Sequence, residues 1–239
     1  MKLIACAGYE EMSKAAAACV TGILAHKHGA VLCVATGNSP IGLYRELAHA
    51  AQLDPGLFAA ARIAKLDEWL GVPSDHPASC EHYLRGNVME PLRISGERYL
   101  AFRSDAADPV HECARVQAVL DRCGLDVCIL GLGANGHIGL NEPASALEIG
   151  CHVALLTEET RQHGMLADIE TRPARGLTLG IGDILRARKI VLLITGRSKQ
   201  RAFSGMLSGK VTTALPASLL ALHDDVDVFV DESSVTAGT

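Results

Sequence analysis

Four short runs of apolar residues, at 31–35, 126–130, 190–194 and 226–230, each stop at or just before Gly, Asp, Thr or another polar turn residue. They are too short for helices and, Asp126 and Asp227 apart, apolar throughout, so they predict buried strands. A weaker fifth run covers 62–66, and helix-length segments lie between the runs at about 10–28, 40–52, 79–91, 110–122, 158–169, 198–208 and 216–223. Strand and helix in alternation require right-handed crossovers, which predicts an α/β fold of three layers: a doubly wound, mostly parallel, Rossmann-like sheet between helices. Apolar residues make up 49 % of the chain and aromatics only 4 %, which suits close-packed parallel strands. No repeat or linker interrupts the 239 residues, and a single domain over 1–239 is expected.

Charge and cysteine usage exclude several function classes. A formal net charge of −5 gives no basic surface for nucleic acid, and the apolar runs fall well short of the roughly 20 residues of a membrane span. The apolar start at residues 3–6 is interrupted by Gly8, Tyr9, Glu10 and Glu11 before it could form a signal-peptide core. Eight cysteines stand singly, with no Cys-x-x-Cys pair, and His26, His28, His76, His82 and His163 form no ligand pattern. A reduced, cytoplasmic protein without a metal is the expectation.

In open parallel sheets ligands gather beyond the carboxyl ends of the strands, so the polar residues there are the candidates. Thr36-Gly37-Asn38-Ser39-Pro40 follows the first run. It reads either as an anion cradle at a helix N-terminus or as a tight turn with Ser39 as N-cap and Pro40 at N1. Asp67 and Glu68 are adjacent carboxylates whose side chains alternate, so one can face the crevice while the other packs; a solvated acidic turn is the alternative. The stretch 131–143 is the most specific signal: its glycines let the backbone approach a ligand, and His137 and Glu142 can move a proton between substrate oxygens. Thr195-Gly196-Arg197-Ser198-Lys199 opens another helix, where Lys199 either meets a phosphate across the crevice or is solvated.

These stretches, with Lys65-Leu66-Asp67-Glu68-Trp69, Gly176-Leu177-Thr178-Leu179-Gly180 and 212–218, give the chain a motif order that resembles the glucosamine-6-phosphate deaminase family over nearly its whole length. Within that family it looks closest to the galactosamine-6-phosphate deaminase/isomerase branch. The resemblance implies a small-molecule amino-sugar phosphate as substrate and its conversion to a ketose 6-phosphate and ammonia, with no metal or redox cofactor. It also implies that Asp67 is the base moving a proton between sugar C2 and C1, that His137, Glu142 and Asn135 form the ring-opening group, and that Thr36, Gly37, Asn38, Ser39 and Lys199 hold the phosphate. Where some members carry Asp, this chain has Asn135, which cannot exchange a proton at neutral pH and should orient rather than titrate. A phosphate-binding arginine of some members falls at about Leu166, leaving Arg161 as a substitute candidate. Basic residues that bind an acetylated effector in allosteric members correspond to His152 and Ala154, so weak or absent activation and a monomer or small homo-oligomer are expected. The segment 157–175 is a candidate mobile lid. A 6-phosphogluconolactonase shares the fold and the cradle, and a non-catalytic sugar-phosphate sensor is the rival of another class; no basic helix-turn-helix segment precedes the strand at 31–35.

Overall fold

A computed structural model describes residues 1–235; the last four residues of the expected domain, 236–239, lie outside them. Its strands are β1 (Lys2–Cys6), β2 (Val31–Val34), β3 (Arg62–Lys65), β4 (Asp67–Trp69), β5 (Tyr99–Leu100), β6 (Val127–Gly131), β7 (His152–Leu155), β8 (Arg175–Thr178), β9 (Lys189–Ile194) and β10 (Val226–Asp231). The α-helices are α1 (Tyr9–His26), α2 (Asn38–Leu53), α3 (Cys80–Leu84), α4 (Pro109–Cys123), α5 (Glu158–Arg161), α6 (Ile181–Leu185), α7 (Gln200–Met206) and α8 (Glu232–Val235). Seven strands form one sheet in the order β1-β10-β9-β6-β2-β3-β5, every pair parallel. This is the expected three-layer, doubly wound α/β architecture.

The strand period of two divides the core between the two faces of the sheet. Leu32, Val34, Val127, Ile129, Val191 and Leu193 point to one side, where Met12, Val20, Leu43 and Leu47 of α1 and α2 cover them. Cys33, Cys128, Leu130, Ile190, Leu192 and Ile194 point to the other, under Val116 and Leu120 of α4 and Ala202, Phe203 and Met206 of α7. Each fully buried Leu, Ile or Val side chain contributes about 1.5–3 kcal/mol. With both faces dry, the strands have no wet alternation to display, which is why they read as continuous apolar runs.

Several local expectations are corrected. The strand β1 carries no signal in the sequence because it sits at the sheet edge and is largely exposed, so burial imposes no pattern on it; it pairs with β10 from Lys2 against Asp227 to Cys6 against Asp231. A second, antiparallel sheet of order β4-β8-β7 was also unforeseen, its strands being only three or four residues long. The helix expected over 79–91 is the short α3 running into a π-helical stretch, Arg85–Met89. The one expected over 158–169 breaks into α5 and a 3-10 turn, Gly164–Leu166, and that over 216–223 is 3-10 throughout Pro216–Leu222. Ser39 is not an N-cap: α2 starts earlier, with Gly37 at the cap in the left-handed region at φ 100°, which few other residues adopt without strain. No helix among the described residues is long and apolar enough to cross a membrane.

The small sheet positions the site. The chain leaves the main sheet after Leu66, whose N–H still bonds the Val34 carbonyl, and Asp67 then pairs with Thr178 of β8. The loop after β6 is pinned to the same strand end: Asn141 Nδ2 donates to the Ile138 and Leu179 carbonyls at 2.9 Å each, and the Leu140 N–H to Thr178 Oγ1 at 3.2 Å.

Candidate active site

A cleft of about 580 Å³ opens at the carboxyl ends of β2, β3, β6 and β9. It is lined by Thr36, Gly37, Asn38 and Ser39, by Asp67 and Trp69, by residues 131–134 with His137, by Glu159, Thr160, Gln162 and His163, and by Thr195, Gly196, Ser198 and Lys199. The four loops singled out in the sequence thus meet in one place.

The first wall is the turn from β2 into α2. Left-handed Gly37 swings the backbone so that α2 begins at the cleft, presenting first-turn N–H groups that have no intrahelical acceptor. Tyr9 Oη donates to the Asn38 carbonyl at 2.7 Å and accepts from the Gly42 N–H at 2.8 Å, and Tyr83 Oη donates to the Gly37 carbonyl at 2.6 Å, so the turn is clamped from both sides. Facing it, Gly196 carries the chain from β9 into a 3-10 turn, Arg197–Lys199, and Gly196 N–H donates to Ser234 Oγ at 2.7 Å. Lys199 stands on this turn, its pKa lowered by burial and only partly restored by Glu159. A half-buried ammonium opposite a helix N-terminus is suited to a dianionic phosphate.

The second wall carries two carboxylates with opposite fates. Glu68 is fully buried and accepts from Lys65 Nζ at 2.8 Å and from the Trp69, Cys80 and Glu81 N–H groups at 2.9 Å each. Lys65 also reaches Glu81 at 3.0 Å, and Tyr99 Oη donates to Glu81 at 2.9 Å. Asp67, on the other face of β4, looks into the cleft and, among the described residues, receives the Cys80 thiol alone, at 3.8 Å. Burial and the charge of Glu68 push its pKa up to about 7, against the partial relief of His137, Lys65 and Cys80. A carboxylate tuned there can both take and return a proton near neutrality.

The third wall is the loop after β6. The His137 ring packs on Gly133, whose added Cβ would sit 2.5 Å from the imidazole, and the Gly133 N–H donates to the His137 carbonyl at 3.0 Å. His137 Nδ1 lies 3.2 Å from Thr160 Oγ1 and 3.6 Å from Glu142 Oε2. Burial alone would raise the Glu142 pKa, but the hydrogen bond and charge of His137, with Thr160 and Asn135, bring it down to about 2. Asn135 stands behind the ring: its Nδ2 donates to Glu142 Oε2 at 2.9 Å and its Oδ1 accepts the His137 N–H at 3.1 Å. Asp67 and His137 therefore border the cleft, while Glu142 and Asn135 support His137 from outside it.

Arg161 does not join them. Its guanidinium pairs with Glu158 at 3.2 Å and is not part of the cleft wall, and Leu166 is fully buried. The α5 turn instead directs Thr160 and His163 inward. Neither was a candidate from sequence, since a Thr in an acidic segment and one scattered His carry no spacing signal; nor was Cys80, which bridges Asp67 and Thr36 Oγ1 at 3.8 and 3.7 Å. Among the described residues no cluster of three or more His, Cys, Asp or Glu could hold a metal ion.

Residues 7–229 match the family model described as glucosamine-6-phosphate isomerases/6-phosphogluconolactonase. The chain is 40 % identical over 91 % of its length, and 86 % of the relative's, to a protein of Escherichia coli (strain K12) named "Putative deaminase AgaI". It is 36 % identical to the glucosamine-6-phosphate deaminase 1 of Bacillus subtilis (strain 168), over 99 % of both chains. A solved monomeric glucosamine-6-phosphate deaminase superposes with a TM-score of 0.92 at 37 % identity, covering 97 % of each chain. A 6-phosphogluconolactonase from Trypanosoma brucei shares the fold, with a TM-score of 0.75 at 20 % identity. The chain belongs to the glucosamine-6-phosphate isomerase/6-phosphogluconolactonase family.

Proposed function

We propose that this chain is an amino-sugar 6-phosphate deaminase/isomerase, taking a 2-amino-2-deoxyhexose 6-phosphate to the ketose 6-phosphate and ammonia, with the galactosamine epimer preferred over the glucosamine one. The observation that carries the reading is Asp67: a cleft-facing carboxylate with its pKa near 7, sharing one cleft with His137 and with a cationic, helix-capped anion cradle. The deaminase relatives at 36–37 % identity over nearly the full length support it.

The residues divide the work by position. Thr36, Gly37, Asn38, Ser39 and Lys199 hold the phosphate. His137, oriented by Glu142 and Asn135, passes a proton from the C1 hydroxyl to the ring oxygen, so the hemiacetal opens to the aldehyde. Asp67 then removes the proton on C2 and returns it to C1. With the amine giving up one proton and the C1 oxygen gaining one, the C1 carbonyl becomes an alcohol and the amine-bearing C2 an imine; water adds to that imine and ammonia leaves. Every step is a proton transfer, an addition of water or the departure of ammonia, so the chemistry needs neither a redox cofactor nor a Lewis acid.

The solved monomeric deaminase at 37 % identity supports a monomer or small homo-oligomer as the active form, and eight free cysteines support a reducing, cytoplasmic setting. The test is ammonia release from galactosamine 6-phosphate and glucosamine 6-phosphate in parallel, with Asp67→Asn as control. Release that is faster from the galacto sugar and falls at least about 100-fold in the control is expected. Faster release from the gluco sugar would discard the epimer assignment alone. Tight binding of both sugars without ammonia would mean a sensor.

A further inference from the structure

Trp69 lies two residues beyond Asp67 on β4, so both side chains occupy the same face of the strand and both border the cleft. The indole is 4 % exposed, yet its Nε1 is buried with no hydrogen-bond partner. Buried donors in folded proteins are nearly always paired, and an orphan on a side chain that borders a ligand cleft points to an acceptor that arrives with a ligand.

A second donor stands beside it. The His163 ring is 6.1 Å from the Trp69 ring, centroid to centroid, tilted by 42°, and it too lines the cleft. Its Nδ1 accepts the Met165 N–H at 3.3 Å, which leaves the proton of the neutral ring on Nε2. Burial first, then the nearby charges of His137 and Lys199, hold its pKa below the usual histidine value, so at neutral pH it is an uncharged donor. The phosphate already has Lys199 and the α2 N-terminus, so these two uncharged N–H groups are left for another part of a ligand. They suit an uncharged oxygen with lone pairs to offer.

On the amino-sugar phosphate reading, on which this inference rests, the phosphate end of the substrate is held at the cradle and the C1–C2 end at Asp67 and His137. The hydroxyls between are left to the remaining wall. We infer that Trp69 and His163 form the subsite that accepts a mid-chain sugar hydroxyl as hydrogen-bond acceptor, and that this pair sets the preference between C4 epimers. A site built to bond a hydroxyl discriminates far more sharply than one that excludes by shape.

Trp69 is the single tryptophan of the chain, so its emission reports on this one position. The Asp67→Asn protein, whose turnover should be at least about 100-fold slower, is titrated with galactosamine 6-phosphate, glucosamine 6-phosphate and inorganic phosphate, with thermal stabilisation as the independent measure of occupancy. Saturable emission changes with the sugar phosphates, differing between epimers and absent with inorganic phosphate, are expected. An emission that stays unchanged while the sugar phosphates stabilise the protein would overturn the inference. In the otherwise wild-type protein, Trp69→Phe and His163→Leu should move the ratio of kcat/KM between the two epimers at least about tenfold toward unity. An equal loss on both sugars would mean a purely structural role and would also overturn it. Should the wild-type protein release no ammonia, the deaminase reading fails, and the fluorescence titration still decides whether the indole meets the sugar.

Discussion

The chemistry depends on single side chains whose titration the fold has displaced in opposite directions. Asp67 is raised from 3.8 to about 7, by burial and by Glu68, so kcat/KM should climb on an acid limb centred near pH 7 as the base ionises. The same shift is a statement about stability. A pKa above the unfolded value means that the contribution of Asp67 is complete below about pH 4 and is lost as the pH rises through its folded pKa. Asp67→Asn should therefore be more stable than wild type at pH 8, by about 1–2 kcal/mol in urea melts, and show no such gain at pH 4. Glu142 has the reverse sign: lowered to about 2, it contributes above the ordinary carboxylate range and loses that contribution only as the pH falls through its folded pKa. Equal stability of Asp67→Asn and wild type at pH 8 would contradict the account of a carboxylate held against its charged form.

Elements carry these side chains, and two substitutions test how. In the loop after β6, Gly133 leaves only enough room for the imidazole of His137, with an added Cβ 2.5 Å from the ring. Gly133→Ala should displace that ring and lower kcat about 10- to 100-fold, while a thermal melt moves by only a few degrees, because the pushed group is a side-chain ring and not backbone. At the junction of β3 and β4, Lys65 is the cation between Glu68 and Glu81, at 2.8 and 3.0 Å and almost without exposure. Lys65→Met leaves buried carboxylates uncompensated and should cost about 3–5 kcal/mol in denaturant unfolding. Because the charge of Lys65 also lowers the Asp67 pKa, the acid limb of kcat/KM should move to higher pH in that variant. A limb that stayed in place would separate the ion cluster from the base.

For the whole molecule, the doubly wound sheet brings strand ends from positions far apart in sequence to one rim, and the small antiparallel sheet closes one side of the cleft formed there. A ligand that binds only this assembled rim stabilises the fold by mass action: a sugar phosphate at 100 times its Kd should add about 2.7 kcal/mol to Asp67→Asn, where its turnover is slowed. Ammonia release should survive EDTA, and a loss restored by zinc would overturn the proton-transfer mechanism.

What could be known before folding followed from short-range physics. Runs such as 190–194, apolar because both faces of their strands are dry, announced a parallel sheet, and the glycine-rich and polar strings after them marked four loops at its carboxyl rim. The adjacency of Asp67 and Glu68 already implied that only one of them could face a ligand. Which one did so, and with what proton affinity, was decided by contacts from Lys65, Cys80 and Glu81, whose groups converge only when α3 packs on β4. The edge strand β1 and the short strands β4, β7 and β8 had no burial rhythm to betray them. The approach of Thr160 and His163 to His137 and Trp69 joins segments that are distant along the chain. Local pattern determines which residues can be buried or exposed; the distances between residues remote in sequence, and the electrostatics that depend on those distances, exist only in the folded chain.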